Sequence, residues 1–244
     1  MNAELSSLLQ RLRRVRPAAP TPRPHDLENT VRQIAPEPSH AGSSAGLRER
    51  FVQTASAAGA QVRIVDTRTW PEVVCEILRV RPSGRVAVFA ASLPPALAPS
   101  IEGLCRELRA LGWQVSTQAD EDDLFSAAAA VTGAAALIAE TGSLVCESGP
   151  VLPRGASLIP PLHIVVAGED QILPDLWDYF AALARRGASL PPAISLITGP
   201  SKTADIEGVL VTGVHGPEQV CVVLVAPTAA GERREEQHAQ DAAQ

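Results

Sequence analysis

Apolar positions along this 244-residue chain alternate between two periodicities, one strand-like and one helix-like. Strand-like runs are Gln61–Asp66 (QVRIVD), Arg85–Ala90 (RVAVFA), Trp113–Thr117, the end of Ser157–Val166, Ala193–Thr198 and Gln219–Val225 (QVCVVLV). The last is apolar nearly throughout, which predicts a strand covered on both faces. Between them fall helical stripes. Leu47, Phe51 and Ala55 mark the first. Thr69-Trp70-Pro71-Glu72 has the pattern of a capping box with proline in the first turn, ahead of Val73, Val74, Ile77 and Leu78. Ser100 is placed to cap a helix carrying Ile101, Leu104, Cys105, Leu108 and Leu111, stopped by Gly112. Asp120–Asp123 opens a helix with four acids at its positive end. Leu173–Arg186 reads as a helix burying Leu176, Phe180 and Leu183. Ala134–Glu147 (AAALIAETGSLVCE) reads as strand, tight turn at Thr141-Gly142, strand.

This alternation predicts an α/β fold, a mostly parallel sheet flanked by helices. The globular body spans residues 45–227. Residues 1–44 read as an N-terminal arm: a short amphipathic helix with Leu5, Leu8, Leu9 and Leu12 on one face, then a stretch with prolines at 17, 20, 22, 24, 36 and 38. Residues 228–244 are polar, acidic and alanine-rich, the composition of a disordered tail.

Charge and composition narrow the function. A net charge of −6 gives no general attraction to nucleic acid or anionic membrane, and 3% aromatics cannot build a base-stacking platform. No run has the length of a membrane span, and no secretory signal opens the chain, so the expected compartment is the cytoplasm. Four cysteines occur without a CxxC pair, which is no zinc or iron–sulfur framework; buried thiols are expected, with no cofactor on this chain. Phosphate-loop, dinucleotide-binding, serine-hydrolase and zinc-protease signatures are all missing.

The chemistry concentrates in Ile197–Pro217 (ITGPSKTADIEGVLVTGVHGP). Lys202 is the one lysine among 21 basic residues. A strand ends near Thr198, Gly199-Pro200 turns the chain, and a helix is expected to start near Ser201 or Thr203. A helix start offers unpaired N–H groups, so Ser201, Lys202 and Thr203 read either as a small-anion site or as a plain helix cap. On that helix Asp205 would favour the dipole, and Glu207 would reach an arginine or the turn at Gly213, His215 and Gly216. Glu140 ends an apolar strand just before the Thr141-Gly142-Ser143 turn. Ligands gather outside the carboxyl ends of strands in open α/β sheets, which makes Glu140 a candidate base, nucleophile or acceptor, or an acid that fixes its own turn. His163, inside an apolar run, reads as a hydrogen-bonded core residue.

Together AETGS (139–143), LIPPLHIVV (158–166), ITGPSKTADIE (197–207) and GVHGP (213–217) resemble the lactate utilisation protein C family, the LUD-domain proteins, across residues 45–227. The resemblance implies an α/β fold related to ribose-phosphate isomerase, glucosamine-phosphate deaminase and the CoA-transferases. It also implies a role in oxidising L-lactate to pyruvate beside partner proteins that carry the iron–sulfur clusters. The family motif falls on Glu140, Thr141, Gly142 and Ser143, on Gly199 through Glu207, and on Gly213, His215 and Gly216. The family often has arginine where Lys202 stands, which favours a plain positive charge over a Schiff base. Glu140 is similar in placement to the CoA-transferase glutamate of a Ser-Glu-Asn-Gly pattern, from which Ala139-Glu140-Thr141-Gly142 departs at its first and third residues.

Two functions of different class follow. One is an accessory subunit that docks on iron–sulfur partners and holds a small anion at 197–217. The other is an enzyme acting on a carboxylate, phosphate or CoA ester, with Glu140 as base or nucleophile, His215 shuttling a proton, and Thr141, Gly142, Ser143, Gly199, Ser201, Lys202, Thr203, Asp205, Glu207 and Gly216 around the ligand. A sugar-phosphate sensor rests on fold analogy alone.

Overall fold

The computed structural model describes residues 43–118, 120–186, 190–206 and 209–227, with the side chains of 204–211 outside that description. The expectations for the arm before residue 43 and for the tail lie outside the described residues.

Six parallel strands form the main sheet: β1 (Gln61–Asp66), β2 (Arg85–Val88), β3 (Gln114–Ser116), β4 (Ala127–Thr132), β7 (Leu162–Gly168) and β12 (Gln219–Ala226), in the spatial order β1-β12-β7-β4-β2-β3. Every residue of β7 is buried, as are the six central residues of β12. Strands flanked on both sides and covered on both faces favour apolar side chains at nearly every position, which is why these two read as hydrophobic runs, His163 of β7 apart.

A second, four-stranded sheet has the order β8-β5-β6-β9, from β5 (Ala136–Ile138), β6 (Ser143–Glu147), β8 (Ile172–Leu173) and β9 (Ile194–Ile197). Its β5–β6 hairpin is the strand-turn-strand expected from the sequence. A third pairing joins β10 (Lys202–Ile206) to β11 (Val209–Thr212) as an antiparallel hairpin. This corrects the helix expected from Ser201 or Thr203. The segment is extended, with Lys202 opposite Thr212 and Thr203 opposite Val211. No helix start exists there, so Asp205 stands in a strand rather than a first turn, and Glu207 lies outside the described residues.

Among the described residues, five α-helices cover the sheets: α1 (Ser44–Ala57), α2 (Trp70–Arg79), α3 (Ala98–Ala110), α4 (Glu121–Ser126) and α5 (Leu176–Arg185). Helices α2 and α3 bury Trp70, Val74, Leu78, Leu104 and Leu108 against one face of the main sheet. Helix α1 lies between the opposite face and the second sheet, where Phe51 and Ala55 meet Val165, Val222, Leu137 and Leu144. Helix α5 covers the far side of the second sheet through Tyr179 and Leu183. Phe180, expected in the core, is 43% exposed and Tyr179 takes its place. One residue's shift on the helix turns the face by roughly 100°.

Two expected caps also differ. The Thr69 side chain makes no capping bond. Instead the Asp66 carboxylate accepts from the backbone N–H groups of Arg68 (2.7 Å) and Thr69 (2.9 Å), which hold its carboxyl below the usual range. Helix α3 begins at Ala98, so Ser100 is inside its first turn. Asp120 caps α4 as the acid run suggests, accepting from Asp123 N–H at 2.8 Å.

Candidate functional site

Three of the sequence motifs converge on the C-terminal end of α1. Gly142 (φ +67°) and Gly199 (φ +73°) both have backbone angles that favour glycine. A Cβ on Gly142 would lie 2.2 Å from Ala55 N, and one on Gly199 would lie 2.2 Å from Ala58 O. Thr54 on α1 donates its hydroxyl to Ala139 O at 2.9 Å. Lys202 donates from Nζ to Ala58 O at 3.1 Å, placing a cation at the negative end of the helix. The hydroxyls of Thr141, Ser143 and Thr198 form a chain with 2.7 Å at each step. The GVHGP turn joins through Ser201, whose N–H donates to Pro217 O and whose carbonyl accepts from Gly213 N–H, both at 2.9 Å. Gly216 packs on the Ser201 side chain.

The structure therefore brings Thr141, Gly142, Ser143, Gly199, Ser201 and Lys202 around one helix end, with Gly213 and Gly216 behind them. Thr203 is half-buried in β10, and His215 and Glu140 are exposed. The backbone N–H of Glu140 donates to Pro174 O at 3.0 Å. Glu140 follows a strand of the second sheet, not of the parallel one. Ala60 directly precedes β1 and Pro217 closely precedes β12, so this cluster sits at the amino ends of the main sheet.

The carboxyl ends hold a different feature. From β2 the chain crosses to β3 at the sheet edge, then returns past β2 to β4 and continues to β7. The neighbours β2 and β4 thus send their connections in opposite directions, which defines the crevice where open α/β sheets hold ligands. A groove of about 600 Å³ lies there, within the range of small-molecule sites. Phe89, Ala90 and Ala91, directly after β2, form one wall, and Pro150, Val151 and Pro153 belong to the loop opposite. Thr117, Gln118 and Asp120, after β3, supply the polar groups. A smaller pocket of about 160 Å³ adjoins through Val151 and is lined by Ser92, Gly133 and Glu147. Ser92 Oγ donates to Phe89 O (2.7 Å) and accepts from Gly133 N–H (2.8 Å), tying the loops after β2 and β4 together. Gly133 packs so closely that a Cβ would lie 1.9 Å from Ser92 O. Glu147 is fixed by Tyr179, whose hydroxyl donates to Oε1 at 2.9 Å, and by Arg186, whose Nη1 lies 2.7 and 2.8 Å from the two oxygens. Burial, then the bond to Glu147, raises the Tyr179 phenol and keeps it protonated.

The LUD domain family model matches residues 48–225, which is most of the described body. The chain belongs to the LUD-domain family. It is 32% identical over 120 residues to a protein from Bacillus subtilis named Lactate utilization protein C, covering 47% of this chain and 50% of that one. A protein of the same name from Deinococcus radiodurans is 35% identical over 151 residues, covering 57% and 71%. The chain thus spans about half the length of the first curated relatives it matches. Among solved structures, a DUF162 family protein from Deinococcus radiodurans superposes with a TM-score of 0.53 at 25% identity, over 76% of this chain and 99% of that one.

Within this LUD domain, His163 lies in β7 with no exposed surface. Its Nε2 is 2.8 Å from Thr132 Oγ1, and that hydroxyl also lies 2.9 Å from Gly133 O, to which it donates. Nε2–H therefore donates to Thr132, and Nδ1 is buried without a partner. The core placement matches the sequence expectation, but only one ring nitrogen is paired. Burial lowers its pKa to about 4, so the ring is neutral near pH 7. All four cysteines are buried free thiols, and burial pushes Cys75 and Cys146 up to about 12. Among the described residues no group of three or more potential ligands gathers to hold a metal ion, and no helix is long and apolar enough to cross a membrane. The sequence did not point to the crevice at β2 and β4. Its walls are phenylalanine, alanine, proline and valine; the available signal was the β-α alternation, which fixes where the carboxyl ends lie but not which pair of strands diverges.

Proposed function

We propose that this chain acts in L-lactate utilisation, as an accessory subunit beside partner proteins that carry iron–sulfur clusters. The observation that carries this is the LUD-domain match over residues 48–225, with relatives named Lactate utilization protein C. Removing the gene from its native host tests the proposal: growth on L-lactate as carbon source is lost while growth on pyruvate is kept. Unchanged growth on L-lactate overturns it.

A second reading gives the motif cluster a chemical task. Exposed Lys202 uses one of its three donors on Ala58 O, and the Thr141–Ser143–Thr198 hydroxyl chain lies on turns around the same helix end. A carboxylate, phosphate or CoA ester bound there would meet Glu140 as base or nucleophile and His215 as proton carrier. Glu140→Gln with full lactate-dependent growth ends that reading.

A further inference from the structure

The geometry points to the crevice outside β2 and β4 as a binding site for a neutral, hydroxyl-bearing ring compound of nucleoside size, and not for a phosphate or carboxylate. The inference goes beyond the pathway role proposed above and does not depend on it.

Position and volume come first: a groove of about 600 Å³ at the switch point of a parallel sheet. Its sign comes next. Phosphate sites at such places rely on free backbone N–H groups at a helix start or glycine-rich loop. Around the adjoining pocket those donors are spent. Ser92 N–H and Leu93 N–H bond to Phe89 O (3.0 Å) and Ala90 O (3.1 Å), and Gly133 N–H bonds to Ser92 Oγ. Asp123 N–H bonds to Asp120 Oδ1.

The charged side chains have the same consequence. Asp120 lines the groove and Glu147 lines the adjoining pocket, while no described lining residue of either is Lys, Arg or His. The Glu147 charge is matched by Arg186, bound to it. Arg154 lines a neighbouring groove together with Glu121. An anion entering the crevice would face the Asp120 carboxylate with no described Lys, Arg or His on the lining to compensate. Hydroxyl groups suit Asp120, since a carboxylate keeps several acceptor positions after one bond. A planar ring suits the apolar walls carried by Ala91 and Val151.

Calorimetric titration of the whole chain with two matched pairs tests this: adenosine against adenosine 5′-monophosphate, and ribose against ribose 5-phosphate. The expected result is saturable binding of adenosine, with the phosphate member of each pair weaker by about tenfold and the gap narrowing as salt is raised. Ala91→Trp and Val151→Trp, both at exposed positions, are expected to abolish binding while leaving the circular dichroism spectrum unchanged. Equal or tighter binding of the phosphates overturns the inference. So does adenosine binding that survives both variants, or no saturable binding of adenosine at millimolar concentration.

Discussion

Lys202 Nζ donates to the carbonyl of Ala58 at 3.1 Å, so the chain's one lysine serves the C-terminal end of α1. The pair is exposed, and a cation at a helix C-terminus contributes about 0.3–1 kcal/mol at such a site. Lys202→Met is expected to lower unfolding free energy by that amount in urea titration, with Lys202→Arg losing less. If lactate-dependent growth falls with Lys202→Met and returns with Lys202→Arg, the charge has a second task at this position.

Gly142 and Gly199 clamp the same helix end from two turns. Alanine at either place adds left-handed strain and drives a Cβ to 2.2 Å from α1 backbone. A cost of at least about 2 kcal/mol is expected for each. Gly103→Ala, where nothing lies within 4 Å of the new Cβ, is expected to be neutral or stabilising in the same denaturation assay.

His163 makes stability depend on pH. Its folded pKa of about 4 lies below the ordinary value of 6.5, so the unfolded chain binds the proton more tightly. Stability contributed by the neutral ring is therefore full above pH 6.5 and lost as pH falls toward 4, by about 3 kcal/mol. Comparing unfolding at pH 7 and pH 4 for wild type and His163→Leu checks this. The variant is expected to show a smaller difference between the two pH values, whatever its absolute stability.

Tyr179 and Arg186 hold Glu147 from α5 and from the residue that follows it. Tyr179→Phe is expected to cost about 1–2 kcal/mol, because a buried hydroxyl is lost and a charged acceptor loses one partner. Thermal unfolding reads this directly.

The parallel sheet was legible where the physics is one-dimensional. Gln61–Asp66 matches the observed β1, an edge strand with no fully buried residue, and the apolar run after Gln219 is β12, because a strand buried on both faces shows it in nearly every residue. The hairpin β10–β11 was misread because Gly199, Pro200 and Ser201 look like a helix entry. The β-branched residues on both sides of Glu207-Gly208 were the competing hairpin signal. The motif residues were found, but their shared neighbour was not. Nothing in Ala58 marks it as the acceptor for Lys202, and only the packing of α1 between two sheets brings them together. The crevice was invisible for a related reason: it is a property of strand order, and its walls carry no reactive side chain.

The most direct measurement is growth of a strain lacking this gene, complemented with the wild-type chain and supplied with L-lactate or pyruvate. Lost growth on L-lactate, restored by the wild-type chain and unaffected on pyruvate, is the predicted result. Growth on L-lactate that does not change when the gene is removed would contradict the assignment to lactate utilisation.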